Sequence, residues 1–133
     1  MPPEESSVGT PQEWLRRAKS NLARAKQPKP DEAIWEDLCF DAQQAVEKAL
    51  KAILVFRGAD FPKTHNIRVL LTLLDSAGQQ VPPEFRKAIG LTTYATVSRY
   101  PGEVEPVTED EYREAVALAE QVVQWAEQIL SSS

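Results

Sequence analysis

The stretch Asp31–Arg57 runs without a single glycine or proline. Ala, Leu, Glu, Lys and Gln fill most of it, so intrinsic propensity favours helix. At 100° per residue Ile34, Leu38, Ala42, Ala45, Val46, Ala49 and Ile53 share one side. Glu36, Gln43, Gln44, Glu47, Lys48 and Lys51 share the other, which predicts an amphipathic helix with one solvated face. Its last turns differ, because Ala52, Ile53, Leu54, Val55 and Phe56 are apolar around the whole axis. Such an end must be covered by neighbouring helices or by a second subunit, and Phe40, set among polar residues, points the same way. Gly58 supplies the stop. A helix of this length spans roughly 40 Å at about 1.5 Å per residue, enough to be the spine of a small domain.

The other segments read as helices laid against that spine. Residues 1–9 are polar and read as a disordered tail. Thr10-Pro11-Gln12-Glu13 predicts a helix start, with Thr10 as cap, Pro11 at the first position and Glu13 closing a capping box. That helix runs to about Lys26, with Trp14, Leu15, Ala18, Leu22 and Ala25 as its apolar stripe. Pro28 and Pro30 then bound a short turn, which predicts antiparallel packing of the first two helices, the second opening on Asp31, Glu32, Glu36 and Asp37. Thr64 is the expected cap of a helix over 65–77, with Ile67, Leu70, Leu71 and Leu74 inward and Gly78 ending it. Val81-Pro82-Pro83-Glu84 opens a fourth helix carrying Phe85, Ile89, Leu91, Tyr94 and Val97, in which Gly90 allows a break. Thr108-Glu109-Asp110-Glu111 is a second capping box, and the helix behind it reaches about Leu130 with half its circumference apolar. No segment of useful length has a two-residue period. The expected class is all-α, an up-down bundle of four long helices and one shorter one, forming a single domain over 10–130 with 131–133 as a frayed tail.

Composition bounds the chemistry. In 133 residues, 42% hydrophobic, there is material for one core. The single cysteine, Cys39, excludes an internal disulfide and reads as a buried thiol in a reducing cytosol. With one Cys and one His in the chain, no metal site is expected. No apolar run reaches the roughly 18 residues that cross a bilayer, so no membrane partner is expected. The net charge is −5 but unevenly placed. Segment 13–26 carries five basic residues against Glu13 alone, and segment 102–133 eight acidic residues against Arg113. Such a chain is not built to wrap extended duplex nucleic acid, whereas a local basic site for one nucleotide or a short strand is open to it.

No glycine-rich phosphate loop is present, and no serine signature accompanies His65. The remaining polar candidates lie near helix ends. Lys63-Thr64-His65-Asn66 stands at a helix N-terminus, where unpaired N–H groups suit an anion; the plainer reading is Thr64 as a cap with His65 packed on a neighbour. Arg99-Tyr100-Pro101 closes the fourth helix, where an arginine also complements the dipole. Arg17, Ser20, Asn21 and Arg24, and again Gln44, Lys48 and Lys51, form stripes that read either as solvated faces or as phosphate-facing ones.

Taken together, these pieces resemble HEPN domain proteins. Ala42-Gln43-Gln44-Ala45-Val46-Glu47-Lys48-Ala49-Leu50-Lys51-Ala52 resembles the signature helix of that family. Lys63-Thr64-His65-Asn66-Ile67 with Leu70-Leu71, and then Ser98-Arg99-Tyr100-Pro101, look like its next landmarks. Trp14-Leu15, Ala18, Leu22 and Ala25 fit its first helix, so the likeness spans about residues 12–130. It implies a helical bundle that commonly dimerises, often paired in small prokaryotic members with a minimal nucleotidyltransferase in toxin–antitoxin modules. It also implies a nucleotide-binding role, or, in many members, metal-independent ribonuclease activity from an Arg, four to six residues, then a His. This chain departs from that ribonuclease pattern. Seven residues separate Arg57 from His65, its only histidine, and none follows Arg99.

The expectation is therefore a non-catalytic, nucleotide-associated binding and partner module in the cytoplasm, with no required cofactor and an ATP-like nucleotide as ligand. Its expected ligand site is Lys48, Lys51, Lys63, His65, Arg99 and Tyr100. Its expected homodimer surface is Phe40, Leu54, Val55 and Phe56. The alternatives are a ribonuclease using Arg99 with His65, and a purely structural partner subunit acting through its acidic last helix.

Overall fold

A computed structural model describes residues 9–96 and 105–132. They form α1 (Pro11–Ala25), α2 (Trp35–Phe56), α3 (Ile67–Ser76), a 3-10 helix (Pro83–Thr92), the single turn α4 (Thr93–Thr96) and α5 (Glu109–Ser131). No strand occurs among the described residues, so the class is all-α, as the sequence pattern predicts.

The central helix α2 touches every other element. Trp14 of α1 lies by Lys51, and Asn21 bonds Asp41, so α1 runs antiparallel to α2. Lys19 pairs with Glu127, and Lys26 with Glu120, so α1 runs antiparallel to α5 as well. Cys39, Ala42, Val46, Ala49, Leu50, Ile53 and Leu54 of α2 are buried in one core with Ile67, Leu70, Leu71 and Leu74 of α3 and Ala119, Val122 and Ala126 of α5. Helix α5, with 23 residues, is one residue longer than α2, with 22. Its reciprocal capping box at Thr108 and Glu111 is formed as expected.

Three boundaries differ from the sequence expectation, each for a local reason. Helix α2 begins at Trp35, not Asp31. The chain first turns through Ala33 N–H to Pro30 O at 3.0 Å, and Lys29 Nζ donates to the Ala33 carbonyl at 2.9 Å. That ammonium lies 5.1 Å from the Trp35 ring centre, so one lysine holds the turn and seats the first helical residue. Helix α3 is capped by Asn66, not Thr64. The Asn66 side chain accepts from the Arg68 and Val69 amides, while Thr64 Oγ1 accepts from Asn66 N–H in the turn before it. The fourth helix is of the 3-10 type over Pro83–Thr92, opening with Phe85 N–H to Pro82 O. Its inward residues are Phe85, Ala88 and Leu91, with Ile89 half-buried; Tyr94, also half-buried, belongs to α4, and Val97 lies outside the described residues. Thr92 Oγ1 accepts from the Ile67 amide, and this pins the start of α3 next to the end of the 3-10 helix.

The helix ends at Gly58 and Gly78 need backbone freedom. Both glycines have positive φ, +72° and +85°. Ala59 N–H reaches back to Leu54 O, and Gln79 N–H to Leu74 O, the bonding of Schellman caps. The cap at Gly58 turns the chain from the end of α2 back along its flank, as the segment 59–65.

A cavity on the polar flank of the central helix

The polar stripe of α2 is not solvated. Gln43, Gln44, Glu47 and Lys51 are all buried, because α1 and the segment 59–65 close over them. A helix face that alternates correctly for solvent has instead become the floor of a site.

Glu47 is the centre of that floor, its side chain only 3% exposed. It accepts from Lys51 Nζ at 2.8 Å, from Gln43 Nε2 at 2.8 Å, from Gln44 Nε2 at 3.3 Å, and it meets His65 Nδ1 at 3.0 Å. Burial pushes its pKa up. The hydrogen bonds from Lys51, Gln43 and His65, helped by the Lys51 charge, outweigh that and hold it below the ordinary 4.5. A carboxylate engaged by four side chains is an anchor rather than a proton acceptor. Because Glu47 takes Nδ1–H, Nε2 is the ring nitrogen of His65 left to face outward, on a side chain 59% exposed.

Lys51 is the second buried charge, with 9% of its side chain exposed. Beyond Glu47, its ammonium lies 5.4 Å from the Trp14 ring centre and 5.7 Å from that of Phe61. Those two rings stand edge to face at 6.1 Å. Above them opens a cavity of about 470 Å³, whose walls are Trp14, Phe61 and Ala59, with Lys51 at the inner end and Asp60, Lys63, Thr64 and His65 along the 59–65 segment. That volume lies in the range of small-molecule sites.

Of the six expected ligand residues, Lys51, Lys63 and His65 meet at this cavity. Lys48 does not line it. One turn back on α2, it donates to Asn21 Oδ1 at 2.8 Å, Asn21 donates to Asp41, and Arg24 lies 3.6 Å from Asp41. Burial lowers the Lys48 pKa; Glu47 opposes the shift, and Arg17, Lys51 and Arg24 reinforce it. Arg99 and Tyr100 lie outside the described residues. The stripe Arg17–Asn21–Arg24 is also more engaged than a solvated face would be, since Asn21 is buried between α1 and α2. Of the expected dimer residues, Phe40 is exposed, Val55 and Phe56 are half-buried, and Leu54 is wholly inside the subunit core, so it has no surface to offer a second copy.

Sequence reasoning missed Glu47, Trp14, Phe61 and Asp60 as site residues. Trp14 read as core, being on the apolar stripe of α1, and Phe61 lay in a loop with no periodicity. The usable signal was the Glu47–Lys51 pair four residues apart, inside a helix otherwise rich in Ala.

An all-helical domain with a cationic, aromatic-walled cavity on its central helix defines the class of protein at hand. The HEPN domain family model matches residues 11–129, and the chain belongs to that family. Its fold is similar to the crystal structure of ST0689, an archaeal HEPN homologue, with a TM-score of 0.68 and 28% identity over 90% of this chain and 96% of that one. No curated protein matches its sequence. No helix among the described residues is long and apolar enough to cross a membrane.

Proposed function

We propose that this HEPN chain is a nucleotide-associated binding module, acting as the HEPN component of a pair with a minimal nucleotidyltransferase of toxin–antitoxin type. The observation that carries the ligand part is the cavity of about 470 Å³ joining two aromatic rings to Lys51, Lys63 and His65. Aromatic faces stack on any base, and cations hold phosphate. Arg99 and Tyr100 complete the proposed ligand set from the segment after α4, while Lys48 is engaged by Asn21 outside the cavity. The ligand is a nucleotide of ATP's size, with no other cofactor required, and the working form is a homodimer using Phe40, Val55 and Phe56.

Calorimetry with ATP, GTP and UTP tests the ligand. Saturable binding that Lys63→Ala weakens about tenfold is the expected result. Absence of heat at millimolar nucleotide, with the protein folded, removes the nucleotide part. A pull-down that recovers a small nucleotidyltransferase tests the partner; recovery without nucleotide binding favours a purely structural subunit.

One observation favours a second reading, metal-independent ribonuclease action by His65 with Arg99. Glu47 holds Nδ1, which leaves Nε2 oriented as a proton acceptor. Incubation with mixed RNA decides it. Cleavage that survives EDTA and disappears in His65→Ala establishes the activity, and intact RNA at micromolar protein dismisses it.

A further inference from the structure

The inner end of the cavity differs from its mouth in the kind of hydrogen bond it can offer. Lys51 Nζ donates to Glu47 Oε1 at 2.8 Å. No other oxygen or nitrogen among the described residues takes its two remaining N–H groups, which lie beside the Trp14 and Phe61 rings in a side chain more than nine-tenths buried. Ring faces are weak acceptors, and an ammonium kept from water profits from a true one. The side-chain acceptors that line the cavity, the Asp60 carboxylate, the Thr64 hydroxyl and His65 Nε2, are all in the segment 59–65 toward the mouth. Glu47 is saturated and does not line it. The buried end therefore presents donors, and flat aromatic walls lead to it.

We infer that Lys51 selects the base of the bound nucleotide, accepting rings whose inward edge carries an exocyclic oxygen, as in guanine and uracil, over rings that carry an amino group there, as in adenine and cytosine. A carbonyl oxygen at that edge takes the spare N–H groups of Lys51. An amino group in the same place meets an ammonium, donor against donor, and leaves both unsatisfied. Sites built around a hydrogen bond to the ligand discriminate more sharply than apolar ones. The phosphates then lie at the mouth, on Lys63 and His65. This inference rests on the nucleotide-binding reading and narrows it.

The test is calorimetric titration of the full chain with GTP, UTP, ATP and CTP under one buffer. GTP and UTP are expected to bind at least about tenfold more tightly than ATP and CTP, the size of one hydrogen bond to a charged group. In Lys51→Met the difference is expected to fall below about twofold. Because that variant strands a buried carboxylate, Lys51→Met with Glu47→Gln is measured beside it, and thermal melting reports which is folded. Equal affinity for all four nucleotides overturns the selectivity while the nucleotide reading stands. A preference that persists in a folded variant overturns the role of Lys51. Absence of binding by any nucleotide overturns both. The comparison on the unaltered chain decides selectivity even where neither variant folds.

Discussion

Glu47 shows how four neighbours set the behaviour of one carboxylate. Its folded pKa lies below the ordinary 4.5, so it contributes stability that is fully present above that value and is lost as pH falls through the lower folded one. Each unit of depression corresponds to about 1.4 kcal/mol. Urea midpoints measured from pH 7 down to pH 3 should fall steeply below pH 4.5. In Glu47→Gln they should be lower at pH 7 and flatter across the acid range. Glu47→Ala is the harsher change, because it leaves Lys51 charged and buried without its counter-ion. A loss of about 3 kcal/mol is expected, the usual scale for breaking a buried pair from one side. Tyr112 is a quieter case at the other end of α1. Burial, then Cys39 and Glu109, raises its pKa, and its hydroxyl donates to the Ala25 carbonyl at 2.5 Å, closing α1 against α5.

Among the elements, the start of α3 is the most instructive. Thr64 and Asn66 are both good capping residues, and only the structure separates them, by giving Asn66 Oδ1 the amides of Arg68 and Val69. Asn66→Ala should cost about 1 kcal/mol, as cap removals do, and Thr64→Ala clearly less; thermal denaturation of the two variants checks the order. Helices α1 and α5 were legible in the sequence, because each carries a Thr cap and a clean apolar stripe behind it; Glu111 closes the expected box on Thr108, whereas the Glu13 carboxylate pairs with Arg16 and Arg17. The polar flank of α2 was not legible. Periodicity reports that Gln43, Gln44, Glu47 and Lys51 share a face, but whether that face meets water depends on where Trp14 and the 59–65 segment come to rest. That is a long-range fact with no local signature. The 3-10 helix was missed for a related reason: its pattern of apolar residues suits either kind of helix, and the Pro82–Pro83 opening and Gly90 weaken the α form without specifying its replacement.

For the molecule as a whole, the exposed apolar residues are the place to test the proposed homodimer. Phe40 and Ile34 are 42% and 53% exposed, the large hydrophobic side chains that the described surface leaves open. If Phe40 is the centre of a homodimer contact, Phe40→Asp should convert the dimer to monomer in light scattering while the melting temperature of the subunit changes little. An unchanged mass would move the contact elsewhere. The three tryptophans of the chain are distributed in a way that serves such work. Trp35 stacks on Tyr112, Trp125 meets Phe85, and Trp14 stands in the cavity wall beside Lys51. Replacing Trp35 and Trp125 with phenylalanine leaves a single indole, in the cavity wall, whose emission answers to whatever enters the cavity, so occupancy becomes visible as light, without a label, in dilute solution.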